Sequence, residues 1–243
     1  MKHFFMEYGK IIVVGALTVT GLMFTTPFAE AVTGSVANFT TEMNNKVIPK
    51  NPYAEKVMSV QTLYDVGEAN LTADDIVTVN GVDCYVLQAD ATKAELITVD
   101  IYDQRFDSSS STYNYADSEL KPYMDNFYTN QLGSDPYILD TEVTYRYKSS
   151  YSNDLSTYTT GTVSQKVFAL DAVEAQTYKS KFSWSYSNKM NGNGRYFWIA
   201  AGLYNYGSSG WYVSCAGSSF SCGSNDSSVG ARPAFWISLE NNL

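Results

Sequence analysis

Ile76-Val77-Thr78-Val79-Asn80-Gly81-Val82-Asp83-Cys84-Tyr85-Val86-Leu87 is the stretch from which the rest of the chain can be ordered. Two β-branched, apolar-rich runs flank an Asn-Gly pair. That pair tolerates the two successive positive φ angles of a type I′ turn, so the stretch reads as a hairpin of two strands. Working outward, Ala94 to Ile101 is a third strand. Ser118 to Tyr128 has helical spacing instead, with Leu120, Tyr123, Met124 and Phe127 on one face and Ser118 or Asp117 as N-cap. Pro122 falls in or near the first turn, where its missing donor costs least. Lys166 to Leu170 reads as a short strand, and Asp171-Ala172-Val173-Glu174 as a capping box opening a helix to about Tyr178. Tyr196 to Ala200, Trp211 to Cys215 and Pro233 to Leu239 are further strands among Gly/Ser loops. Short strands in mixed order with two helices predict an α+β domain, not a parallel α/β sheet.

Composition narrows the function classes. Of the 243 residues 17% are charged, the formal net charge is −9, and there are 20 tyrosines, 12 phenylalanines and 4 tryptophans. A chain this acidic, without a basic stripe, does not suit a phosphate backbone, so no nucleic-acid partner is expected. So much aromatic and β-branched content can bury a core, which argues against disorder. The single histidine, His3, lies at the extreme N-terminus. Ser-His and Cys-His mechanisms and multi-histidine metal sites are thereby excluded.

The first thirty residues carry an address. Ile11 to Phe28 is almost uncharged and mostly apolar, and as a helix it would reach roughly 27 Å, close to the hydrocarbon thickness of a bilayer. Two readings compete for residues 1–31. One is a transmembrane anchor; the other is a cleaved signal peptide, with Lys2 and Lys10 as its basic region and Ala29-Glu30-Ala31 as its cleavage pattern. Both place the remainder of the chain outside, because the lysines precede the span and acidic residues follow it. Residues 32–70, polar and interrupted by Pro49 and Pro52, read as a stalk or linker, with a continuing helix as the alternative for its first half. The compact domain is expected over residues 71–243.

Within that domain four blocks resemble the bacterial and phage domain of unknown function numbered 6273, in order and spacing. They are Val82 to Ala89 followed by Ala94-Glu95-Leu96-Ile97-Thr98; Tyr115-Ala116-Asp117-Ser118-Glu119-Leu120 with the helix into Phe127-Tyr128; Lys166-Val167-Phe168-Ala169-Leu170-Asp171-Ala172-Val173-Glu174-Ala175; and Gly230-Ala231-Arg232-Pro233-Ala234-Phe235-Trp236-Ile237. The resemblance implies a fold related to C-type lectins and formylglycine-generating enzymes, and fold alone does not dictate function. Tyr196-Phe197-Trp198-Ile199-Ala200-Ala201 departs from the family's tryptophan-rich segment, which carries an arginine and a proline. Any role of those two residues is not carried over.

Cys84 alternates with Val82 and Val86, the setting of a buried thiol. Cys215 and Cys222 flank a short Gly/Ser loop, and in an exported domain the inference is a disulfide, worth roughly 2–3 kcal/mol if unstrained. A reactive cysteine pair, as in the formylglycine-generating relatives, is the alternative. Asp100, Asp103, Asp107, Asp117, Glu119, Asp125, Asp135 and Asp140 could supply an acid-base pair or, as loop oxygens, hold Ca2+; the default is that they are solvated and no cofactor is needed. Arg232 sits in an apolar strand beside Pro233. It is expected to be partly buried, bonded to backbone carbonyls or an acidic side chain, and structural.

Tyr204 to Ser228 contains nine serines, four glycines and three tyrosines, with Asp226 as its only charge. Rigid rings among small adaptable polar residues make up the vocabulary of recognition loops. Tyr204, Tyr206, Trp211, Tyr212, Asn225 and Asp226 are the candidate ligand-binding residues; the alternative is that Trp211, Tyr212 and Val213 form a core strand between Ser/Gly turns. The expected function is a membrane-anchored extracellular binding module of a bacterial cell surface, recognising a glycan or protein. Alternatives are an extracellular enzyme of formylglycine-generating type or a carboxylate-based hydrolase, and a structural component of a surface or conjugation apparatus.

Overall fold

The structure, a computed structural model, describes residues 50–107, 114–148, 154–182, 188–189, 196–203, 209–214, 219–224 and 229–241. Residues 51–243 form one compact unit. The anchor or signal segment over residues 1–31 lies outside the described residues. Among the described residues no helix is long and apolar enough to cross a membrane.

This unit mixes helices with a larger share of strands, an α+β architecture. β1 (Val77–Val79) and β2 (Val82–Ala89) form the hairpin, and Asn80 and Gly81 turn it at φ 48° and 84°. β3 (Lys93–Thr98) pairs with β2, and β12 (Ala234–Ser238) pairs with β3, so an antiparallel sheet runs β1-β2-β3-β12. The strand expected over residues 94–101 ends at Thr98, and Ile101–Tyr102 forms a separate short strand, β4. β4 pairs in parallel with β7 (Asn188–Lys189). A register shift at Leu87 moves Gln88 opposite Glu95. A bulge re-aims a side chain in this way.

A second sheet runs β10-β9-β8-β5-β6, from β5 (Thr141–Lys148), β6 (Thr159–Gln165), β8 (Tyr196–Leu203), β9 (Ser209–Ser214) and β10 (Ser219–Ser224). β11 (Val229–Gly230) adds to it in parallel beside β8. Lys166 to Leu170 is not a ladder strand. Its backbone makes an isolated bridge, Phe168 to Ala234, and accepts from Ala200 at Leu170.

Among the described residues the α-helices are α1 (Ala54–Ser59), α2 (Leu63–Val66), α3 (Leu120–Asn130) and α4 (Ala172–Tyr178). α3 buries Leu120, Met124 and Phe127, the face its spacing predicts. Its N-cap is Glu119, not Ser118 or Asp117, because the Ser118 hydroxyl turns back to the Tyr115 carbonyl at 2.8 Å. Asp171 caps α4, its side chain accepting from Val173 N.

The stalk expected to extend to residue 70 is corrected over its second half. Asn51, Tyr53, Val57, Leu63 and Glu68 are all buried. The Asn51 side-chain amide donates to Ser238 O at 2.7 Å and to Glu240 O at 3.1 Å. The Tyr53 hydroxyl donates to Asp135, which also accepts from Asn80 Nδ2 at 3.0 Å and Tyr137 N at 2.9 Å. A segment with these long-range bonds belongs to the domain.

Candidate functional site

The six-stranded sheet has two unlike faces because β5 and β8 alternate. Tyr147 of β5 lies beside Gly202 and Arg146 beside Ala201, so the tyrosines of β5 and its arginine point to opposite sides. On the arginine side stand α4, Phe182 and Phe197. Arg146 Nε lies 3.6 Å from Asp171 at the cap of α4, and Phe182 meets Phe197 edge to face at 5.0 Å.

The other side is aromatic. Tyr145 and Tyr147 stack at 6.0 Å, Tyr196 lies 5.2 Å from Tyr212, and Tyr212 meets Trp198 edge to face at 5.7 Å. Tyr115 approaches Tyr145 at 6.5 Å, and Phe106 lies 5.9 Å from Trp198. Trp198, Tyr115 and Phe106 are fully buried and anchor the layer, whereas Tyr145, Tyr147, Tyr196 and Tyr212 are half-buried. Trp198 Nε1 donates to Gln104 O at 3.0 Å, and the Tyr115 hydroxyl donates to Gln165 at 2.7 Å. Both rings are thereby held in one orientation. Tyr145 lies across from Gly161, and a Cβ built at that glycine would run into the tyrosine ring.

On the other side of the domain core Glu95 of β3 is fully buried. Gln88 Nε2 donates to its Oε2 at 2.9 Å. Burial first, and then the facing Glu174 of α4, push the Glu95 carboxyl up to about 9. Glu174 is itself raised by burial. Arg232 is also fully buried: its Nε donates to Thr98 O at 2.8 Å and its Nη2 to Glu68 Oε1 at 2.7 Å. Phe182 and Phe197 cover the guanidinium at 5.2 and 5.4 Å.

Clefts lie elsewhere among the described residues. One of about 290 Å³ is lined by Gly67, Asn70 and Lys181 among others. One of about 280 Å³ is lined by Asp125, Tyr128, Asp140, Gln165 and Lys166. The polar groups of the second serve one another: Asp125 accepts from Gln165 Nε2 at 2.8 Å and pairs with Lys121 at 2.9 Å, and Lys166 donates to Ile138 O at 2.7 Å. Among the described residues no three Asp, Glu, Cys or His side chains converge as a metal site.

The sequence model of the domain of unknown function DUF6273 matches residues 86–239. The chain belongs to the DUF6273 family. No curated protein matches the chain, and no solved structure matches it. The DUF6273 span takes in the aromatic face, Glu95, Glu174 and Arg232, whereas Glu68, the ionic partner of Arg232, lies upstream of it.

Of the ligand-binding residues named from this DUF6273 sequence, Tyr212 joins the aromatic face. Trp211 lies in β9 opposite Cys222 of β10, by backbone register. Tyr204, Tyr206, Asn225, Asp226 and Cys215, with the expected Cys215–Cys222 bridge, lie outside the described residues. Cys84 is a free, buried thiol. Tyr145, Tyr147 and Tyr196 were not among the named residues. The signal for the first two was present, because Val143, Tyr145 and Tyr147 recur with the period of a strand in a β-branched, aromatic run. Glu95 and Glu174 carried no such signal, since both lie in motifs that read as an ordinary strand and helix.

Proposed function

We propose that this chain is a membrane-anchored extracellular binding module of a bacterial cell surface, with a C-type-lectin-like domain that recognises a glycan or a protein. One observation carries the reading. Four tyrosines, Tyr145, Tyr147, Tyr196 and Tyr212, stand half-buried on one side of the six-stranded sheet, on the same face as the fully buried Trp198 and, around it, Tyr115 and Phe106. Partly exposed rings held by their aromatic neighbours offer contact area at little cost in conformational entropy, and their hydroxyls supply hydrogen bonds. Such a surface suits stacking against a sugar ring or an apolar peptide side chain. The Tyr/Ser/Gly-rich residues 204–228 adjoin it in sequence and extend the same chemistry.

The binding reading is preferred to a carboxylate-based hydrolase. Glu95, the carboxyl whose protonation would suit a general acid, has an exposure of 0%, so a substrate atom does not reach it. No cofactor is invoked, and calcium on the loops is the alternative.

The test uses the full chain in detergent, offered to cell-wall glycans and to intact cell surfaces. Tyr147→Ala and Tyr212→Ala are expected to weaken capture about tenfold each, the size of a central aromatic contact, with the thermal transition retained. Capture unchanged in both variants, or none by the unaltered chain, overturns the reading.

A further inference from the structure

We infer that Glu95 and Glu174 share a single proton and that this proton pins α4 against β3. The geometry begins with the bulge at Leu87, which brings Gln88 opposite Glu95 and satisfies one carboxyl oxygen, Oε2. The other oxygen, Oε1, is buried, and no N–H or O–H of the described residues reaches it. What faces Glu95 from α4 is another carboxyl, Glu174. Two ionised carboxylates would set acceptor against acceptor, one of them, Glu95, fully buried and the other half-buried, which is the arrangement that buried polar groups avoid. One proton resolves it: the Glu95 carboxyl becomes a donor, Glu174 remains the carboxylate that accepts, and the pair carries one negative charge instead of two.

The surrounding groups agree with that state. Gln88 reaches the pair from β2, Lys93 from β3 itself, Tyr178 from α4, and Asp171 from the cap of α4. Lys93 is exposed, lies 4.4 Å from the centre of the Trp236 ring, and favours the Glu95 carboxylate less than burial and Glu174 oppose it. Arg146 of β5 is engaged with Asp171. The proton therefore also bears on the aromatic side. Glu174 and Asp171 hold the same helix, and Asp171 is tied to the arginine that alternates between Tyr145 and Tyr147.

The sign of the pH dependence follows. The folded pair keeps a proton that the unfolded chain releases above about pH 4.5, the usual glutamate range. Its stabilising contribution is complete below that pH, declines as pH rises, and is lost as pH passes the value of about 9 to which Glu95 is raised. The two steps belong to the pair and not to either residue alone.

Infrared spectra and thermal melts of the full chain between pH 5 and 9.5 test this. At pH 7 a protonated-carboxyl band is expected that is missing from Glu95→Gln and shifted in frequency in Glu174→Gln, where the Glu95 carboxyl stays protonated by burial but loses its carboxylate acceptor. Glu95→Gln keeps a donor in place at every pH. It should melt about 3 °C or more above the unaltered chain at pH 9 and show a flatter profile of Tm against pH. No protonated-carboxyl band at pH 7, or a Glu95→Gln profile as steep as that of the unaltered chain, overturns the inference. The band in the unaltered chain decides even if both variants fail to fold.

Discussion

Arg232 Nη2 and Glu68 Oε1 meet at 2.7 Å with both side chains closed to solvent. The contact joins the residue two before β12 to a turn that precedes β1. With one partner gone, the remaining charge stays buried without its counter-ion, a loss of about 3–5 kcal/mol; replacing both by apolar groups of similar volume removes that penalty. Arg232→Met and Glu68→Leu should each lower stability by that amount in urea unfolding, and the double variant should be more stable than either single one. Folded Arg232→Met protein should still bind the ligand. Full stability with abolished binding would instead place Arg232 in the recognition site.

The domain boundary gives a second test. A fragment of residues 51–243 should unfold cooperatively on heating. A fragment of residues 71–243 lacks Val57, Leu63 and Glu68, all buried, and leaves Arg232 without its carboxylate. It should show no cooperative transition by circular dichroism.

Gly161→Ala addresses the aromatic face from beneath. The added methyl meets the Tyr145 ring, so that ring must leave its seat beside Tyr147. A loss of roughly 1–3 kcal/mol in stability is expected, as for overpacking elsewhere. Weaker ligand capture should accompany it.

Cys84 should be inert. It is fully buried, and burial pushes its thiol above the usual range, so little reactive thiolate forms at neutral pH. Peptide mapping after alkylation should find Cys84 modified only in denaturant. The same map, run without reductant, checks the proposed Cys215–Cys222 bridge; two alkylated thiols there under oxidising conditions would dismiss it.

Asn80 has two duties, at φ 48° in the hairpin turn and as a donor to Leu132 O at 2.7 Å and to Asp135 at 3.0 Å. Asn80→Gly keeps the turn and loses the bonds, whereas Asn80→Ala loses both. The alanine variant should be the less stable by roughly 1 kcal/mol in thermal melts.

The parts of the fold that local physics specifies are those legible in the sequence. The Asn80-Gly81 hairpin, the buried stripe of Leu120, Met124 and Phe127, and the Asp171 cap each depend on neighbours within a few residues. Residues 51–70 looked like a stalk because Pro52 and the polar residues around it mask Tyr53, Val57 and Leu63, whose burial depends on segments far along the chain. Lys166 to Leu170 has the composition of a strand, yet its edge meets β12 at a single bridge. At the candidate site Tyr212 was legible from the company it keeps in sequence. The pairing of Tyr145 with Gly161 and of Glu95 with Glu174 was not, because each partner is supplied by a different element.

β12 has an order-of-assembly consequence. It lies against β3 on one edge, while Ile138 and Phe168 bridge to it from other segments, and Asn51 donates to Ser238 at its end. A stretch reached after residue 230 is thus the common neighbour of strands, loops and an entry segment made long before it. Contacts of such high sequence separation fold slowly, because loop closure comes before the contacts that reward it. During synthesis the earlier pieces wait with an open seam at β3, and a ribosome that stalls before Ala234 leaves that edge unpaired and prone to join another chain.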